Sequence, residues 1–168
     1  MIVVVTGVAG AGKSTVGRAL AARLDAQFVD ADEFHSPESL AKMQAGIPLD
    51  DADREPWLAG IRRAIERWSA DGLNHVLACS ALKMRYRDRL KRGDENVQFV
   101  FLRGSFALIE ERLRERPGHF FAPRLLESQF AALEAPTDQE ALCIDAVLPP
   151  EIIVERVVTA LALDGGEY

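Results

Sequence analysis

The sequence predicts a three-layer α/β fold around a five-stranded parallel sheet. Short, near-continuously apolar runs alternate with longer segments of helical period along all 168 residues. Runs without polar alternation are what parallel strands need when helices cover both sheet faces. No repeat, low-complexity tract or Ser/Gly/Pro-rich linker interrupts the alternation, so residues 1–168 read as one domain.

The elements follow in order. Residues 2–5 form the first strand and 13–24 the first helix. The short run 27–29 is the second strand, followed by helices over 37–45 and 54–70. Asp53 stands where a cap of the latter helix is needed, and Gly72 follows its end. Ile61, Ala64, Ile65 and Trp68 recur on one face of it, which marks a core stripe. Strand 75–79, helix 83–91, strand 97–102, helices 106–115 and 123–133, strand 141–147 and helix 151–163 complete the chain. Parallel strands joined by helices require right-handed crossovers. Ligands in such sheets bind beyond the carboxyl ends of the strands, so the residues after each strand are the ones to search for chemistry.

Composition narrows the function. Hydrophobic residues make up 48% and charged residues 27%, the balance of an ordinary globular chain. The formal net charge of -6 opposes nucleic acid, so an anionic ligand needs a local basic pocket. Cys79 and Cys143 lie far apart in apolar runs without metal-ligand spacing, which predicts buried, reduced thiols and a reducing compartment. The opening MIVVVTG lacks a basic n-region and a cleavage-like segment, and no apolar run approaches the ~20 residues of a bilayer span. The expectation is a cytoplasmic protein with no membrane or nucleic-acid partner.

The loop after the first strand is the most specific feature. Gly7, Val8, Ala9, Gly10, Ala11, Gly12, Lys13 and Ser14 satisfy G-x-x-x-x-G-K-[ST] in full, with Thr15 continuing into a helix. Glycines allow a tight turn that converges backbone N–H groups on a phosphate, and the helix N-terminus adds its positive dipole end. In this pattern Lys13 reaches the β- and γ-phosphates and the Ser14 hydroxyl ligates Mg²⁺. The motif identifies a nucleoside triphosphate without identifying its fate. Neither N-K-x-D nor D-x-x-G occurs, so a guanine-nucleotide switch is disfavoured.

The second Mg²⁺ group of a P-loop protein is often an acid at a strand end. Strand 75–79 runs on into Ser80-Ala81, and strand 97–102 into Arg103-Gly104. The second strand delivers the acids instead, in Phe28-Val29-Asp30-Ala31-Asp32-Glu33-Phe34-His35. Read alone, that stretch also suits a helix cap and a solvated turn, with an Asp or Ser36 capping the Pro37 helix. Beside a phosphate loop it suggests a second, small substrate. On an extended strand end Asp30 and Asp32 point the same way. Asp30 is the expected metal group, through water, and Asp32 the acceptor of a hydroxyl proton.

With these blocks in view the chain resembles the gluconokinases, P-loop small-molecule kinases related to shikimate and adenylate kinases. The resemblance rests on GVAGAGKST, the DADEFH box, KMQAGIPLDDADREPWL, ACSALK with YRD, and RPGHFFAPRLLESQF. It runs to about Pro136 and weakens beyond. Ser39 departs from the Asn usual in that family. The resemblance implies ATP and Mg²⁺ as cofactors and phosphorylation of D-gluconate at its 6-hydroxyl; shikimate is the nearest alternative acceptor, and a non-catalytic nucleotide sensor is the rival outside enzymes. It leaves a homodimer open.

The resemblance also selects site residues. Arg54 offers a fork suited to the gluconate carboxylate. His35, Lys42, Ser80, Ala81 and Lys83 are expected to contact the sugar acid. Arg112 and Arg116, four residues apart, share a helix face ahead of Pro117-Gly118. With His119 they suggest a lid over residues 117–133, with Arg116 stabilising the transferring group, Arg112 on ATP and His119 on the substrate. In related kinases the adenine lies near a loop such as Leu148-Pro149-Pro150. His75, Trp57 and Trp68 read as structural.

Overall fold

The computed structural model describes residues 1–116 and 123–164. Five strands, β1 (Ile2–Thr6), β2 (Gln27–Asp30), β3 (His75–Ala78), β4 (Val97–Arg103) and β5 (Leu142–Asp145), form one sheet in the order β2-β3-β1-β4-β5. Every pairing is parallel, with Val3 opposite both Val76 and Gln98. The predicted fold class and strand number hold. Strand order emerges only in three dimensions, because β1 takes neighbours remote from it in sequence.

Helices α1 (Lys13–Arg23), α2 (Pro37–Gln44), α3 (Asp51–Asp71), α4 (Met84–Lys91), α5 (Phe106–Arg114), α6 (Pro123–Ala132) and α7 (Pro150–Asp164) lie between and after the strands. Successive strand side chains point to opposite faces. Val3 and Val5 therefore pack with Leu20 of α1 and Val157 of α7, whereas Ile2 and Val4 pack with Ile61 and Ile65 of α3 and Leu90 of α4. The central strand β1 is buried at all five residues, as the continuous apolar run predicts.

Two local expectations are corrected. The long helix begins at Asp51, and its N-cap is Asp50, not Asp53. Asp50 Oδ1 accepts the Asp53 N–H at 2.8 Å, and Asp53 Oδ2 accepts the Asp50 N–H at 3.1 Å, a reciprocal capping box. Three acids in four residues made the cap ambiguous; only the reciprocal pair three apart satisfies both orphan donors. The acid box also differs from an extended strand end. β2 stops at Asp30, and residues Ala31–Phe34 turn into a single 3-10 turn. The Asp30 side chain causes this locally by accepting the Asp32 N–H at 3.0 Å. Ser36 caps α2, its hydroxyl accepting the Ser39 N–H at 3.1 Å.

Among the described residues no helix is long and apolar enough to cross a membrane. Cys79 is buried, and burial pushes its thiol up to about 12, so it stays protonated.

Candidate active site

The carboxyl ends of β1, β2 and β3 open onto a cavity of about 420 Å³. The sheet order makes this possible: β3 lies between β2 and β1, so the loops after all three strands converge. The phosphate loop forms one wall. Gly12 takes φ 98° at the N-cap of α1, a left-handed conformation that strains any residue with a Cβ. Gly10 (φ 82°) is tighter still, since a Cβ there would meet Leu113 and Ile109 carbons at 3.0–3.1 Å. Helix α5 thus packs against the back of the loop.

Lys13 lies in the cavity wall and donates from Nζ to the Val8 carbonyl at 2.9 Å. Burial pushes its ammonium below the ordinary lysine value, opposed chiefly by the Asp32 and then the Asp30 carboxylates. Ser14 Oγ donates to Asp30 Oδ2 at 2.9 Å. A hydroxyl and a carboxylate held side by side at a phosphate loop form a hard-oxygen pair that fits Mg²⁺, an ion that takes one or two protein oxygens and completes its shell with phosphate and water. Among the described residues no group of three or more His, Cys, Asp or Glu forms a metal cluster.

Asp32 stands open to the cavity, its side chain 75% exposed. The cleft around it still raises its carboxyl above the ordinary aspartate value, first by desolvation and then by the neighbouring Asp30; His35 and Lys13 oppose the rise. His35 Nε2 is 3.9 Å from Asp32 Oδ1, and its side chain is only 6% exposed. Burial pushes the imidazole below its ordinary value, so His35 is neutral at neutral pH, and its buried Nδ1 has no partner among the described residues.

Trp57, expected to be structural only, borders the cavity. Its indole stacks on His35 with centroids 4.7 Å apart and planes 3° from parallel. Its Nε1–H donates to the buried Ala31 carbonyl at 2.7 Å. One side chain of α3 therefore grips the acid box at the residue between Asp30 and Asp32.

Arg54, Ser80 and Arg116 line the same cavity as the phosphate loop and the acids. Four other predicted residues stand elsewhere. Lys42 is turned to Asp53, donating to both carboxylate oxygens at 2.8 and 2.9 Å. Lys83 stands at the N-cap position of α4 and donates to Asp51 at 3.0 Å, within a cluster that includes Arg85 and Tyr86. Ala81 is buried with φ 38°, turning the chain from β3 toward α4. Arg112 donates to the Ala146 carbonyl at 2.6 Å, beside the Leu148 loop. For Lys42, Lys83 and Arg112 a nearby acid or carbonyl competes for the group, which residue type and spacing alone do not reveal. His119 and the first part of the lid segment lie outside the described residues.

Other wall residues had no assigned role, among them Met43, Gln44, Leu49, Ser128 and Gln129. Gln129 touches the phosphate loop directly: the Ala9 N–H donates to its Oε1 at 2.6 Å across 120 residues of sequence. A lone Gln in an amphipathic helix carries no local signal for such a contact.

The chain as a whole is similar to known proteins. The Shikimate kinase family model matches residues 9–143. The chain is 44% identical to a protein of Rattus norvegicus named "Probable gluconokinase", over 95% of this chain and 97% of that one. A protein of the same name from Dictyostelium discoideum is 50% identical, over 83% of this chain and 73% of its own. The crystal structure of a gluconokinase from Sinorhizobium meliloti 1021 superposes with a TM-score of 0.84 at 41% identity, covering 95% of this chain and 90% of that one. Loop, acid box and cavity arginines thus sit in a chain that belongs to the gluconokinase family, within the shikimate kinase group of P-loop kinases.

Proposed function

We propose that this cavity transfers the γ-phosphoryl group of ATP to the 6-hydroxyl of D-gluconate, giving 6-phosphogluconate and ADP. The observation that carries the reading is one cavity bordered by Lys13, Ser14, Asp30 and Asp32 with Arg54, in a chain of the gluconokinase family. Phosphoryl transfer asks a protein for in-line positioning, charge neutralisation and a proton acceptor. The phosphate-loop N–H groups and Lys13 hold the β- and γ-phosphates. Ser14 and Asp30 would hold Mg²⁺, which when bound would neutralise charge on the phosphate oxygens.

Arg54 takes the gluconate carboxylate, its planar fork matching two oxygens. Ser80 and His35 border the space for the hydroxyl chain. Asp32 accepts the hydroxyl proton as the substrate oxygen bonds to phosphorus and the bond from phosphorus to the ADP oxygen breaks. Its raised pKa suits a group that must take up a proton during transfer. Arg116 stabilises charge on the transferring group. Residues 117–133 act as the lid, and with Lys42 and Lys83 paired to acids, the cavity-lining Arg54 is assigned to the carboxylate.

A coupled assay of ADP release against a panel of sugar acids and shikimate tests the proposal. Gluconate supports turnover, and Asp32→Asn lowers kcat by about 10²–10⁴ with little change in the gluconate KM. Absence of gluconate-dependent ADP release refutes the acceptor; turnover with shikimate in its place favours the alternative.

A further inference from the structure

We infer that Gln129 is a further catalytic residue, whose side-chain amide donates a hydrogen bond to the phosphoryl group in transfer. The inference rests on the kinase reading above and adds a residue to it.

Gln129 projects from α6 to the phosphate loop, where the Ala9 N–H donates to its Oε1 at 2.6 Å. That bond orients the whole amide. A backbone N–H needs an acceptor, so the carbonyl end of the glutamine meets the loop and the NH₂ end, two donors, is left over. No partner for that nitrogen is found among the described residues. Gln129 borders the same cavity as Lys13, Asp32 and Arg116. The γ-phosphoryl is the group that must pass between the loop and Asp32, and it carries the oxygens an oriented donor serves.

Residue type separates this from a simple tether. A tether between α6 and the loop needs only an acceptor, and a carboxylate accepts an N–H bond more strongly than an amide does. Glu127 lies two residues away on the same helix, so acids are compatible with it. At the loop, however, a carboxylate would face the phosphates and repel them. An amide accepts from the loop on one side and donates to a phosphate oxygen on the other. Its donor is fixed before the reaction, so no reorientation is needed as charge shifts in the transition state.

The test uses the full-length protein with Gln129→Met and Gln129→Glu. Methionine keeps the length of the side chain without donor or acceptor. Glutamate keeps the acceptor and loses the donor. Steady-state kinetics with gluconate and ATP are combined with calorimetric binding of ADP and of a non-hydrolysable ATP analogue. Gln129→Met is expected to lower kcat by about 10², with the gluconate KM within about twofold and a loss of affinity for the ATP analogue but not for ADP. Gln129→Glu is expected to be worse than Gln129→Met. Wild-type turnover in Gln129→Glu overturns the inference in favour of a tether. Equal loss of ADP and analogue affinity in Gln129→Met overturns it too, because it reports a disordered loop. If the wild type releases no ADP with gluconate, the acceptor assignment fails, while the comparison of ADP with the ATP analogue still decides whether Gln129 meets the γ-phosphoryl.

Discussion

Trp57→Phe isolates one bond between the long helix and the acid box. Phenylalanine keeps an aromatic face against His35 but removes the indole N–H that reaches the Ala31 carbonyl at 2.7 Å. Trp57 is 3% exposed and Ala31 1%, so water does not readily replace the lost donor. Leaving a buried acceptor short of its donor costs about 1–3 kcal/mol, and the volume lost from the ring adds a smaller cavity contribution. Urea unfolding followed by fluorescence of the remaining Trp68 reads that loss as a lower midpoint at unchanged slope.

The same bond holds the residue between Asp30 and Asp32, so its loss should also loosen the proton acceptor. A displacement well under 1 Å is enough for roughly tenfold in kcat, whereas ATP affinity should hold because the phosphate loop is untouched. A stability change below about 0.5 kcal/mol refutes the energetic argument, since the bond then contributes less than a typical net hydrogen bond. A full stability loss with wild-type kcat refutes the positioning argument.

Two further outcomes follow from individual contacts. Arg54→Lys keeps the charge in the cavity but loses the planar fork, so the gluconate KM should rise by about tenfold or more; an unchanged KM places the carboxylate elsewhere. Asp53 is held below the usual aspartate range first by its bond from Lys42 and then by the Asp50 N–H. A carboxylate whose folded pKa is depressed contributes its full stability above its unfolded value and loses it as pH falls through the folded one. The Asp53 contribution should therefore fade below its unfolded value near 3.8. Asp53→Asn should flatten the fall in urea midpoint between about pH 4 and pH 2, and parallel curves for the two proteins would remove Asp53 from the acid response.

The phosphate loop was readable because its chemistry lies in consecutive residues, with a strand before it and a helix after it. The strands were readable for the same reason: each carries its burial pattern locally, and observed bounds differ from the periodicity by a few residues. The acid box was legible as chemistry but not as shape. Asp30 bends its own backbone through the Asp32 N–H, so the two carboxylates leave a turn, not one face of a strand. The cap of α3 was placed three residues late because Asp50, Asp51 and Asp53 are equivalent by type, and only the reciprocal bonds distinguish them.

Sequence by itself determined that this chain handles a triphosphate, that its acids follow the second strand, and that its motifs resemble those of gluconokinases. Those properties are written in contiguous residues, whose spacing survives any arrangement of the rest. Tertiary structure decided which cations remain available. Lys42 and Lys83 look as suitable as Arg54 in sequence, yet acids on α3 engage them while Arg54 faces the cavity. It also brought Trp57 to Ala31 and Gln129 to Ala9, contacts spanning 26 and 120 residues. A pairing at such separation depends on where the sheet order and helix packing set each side chain, and no local pattern encodes that.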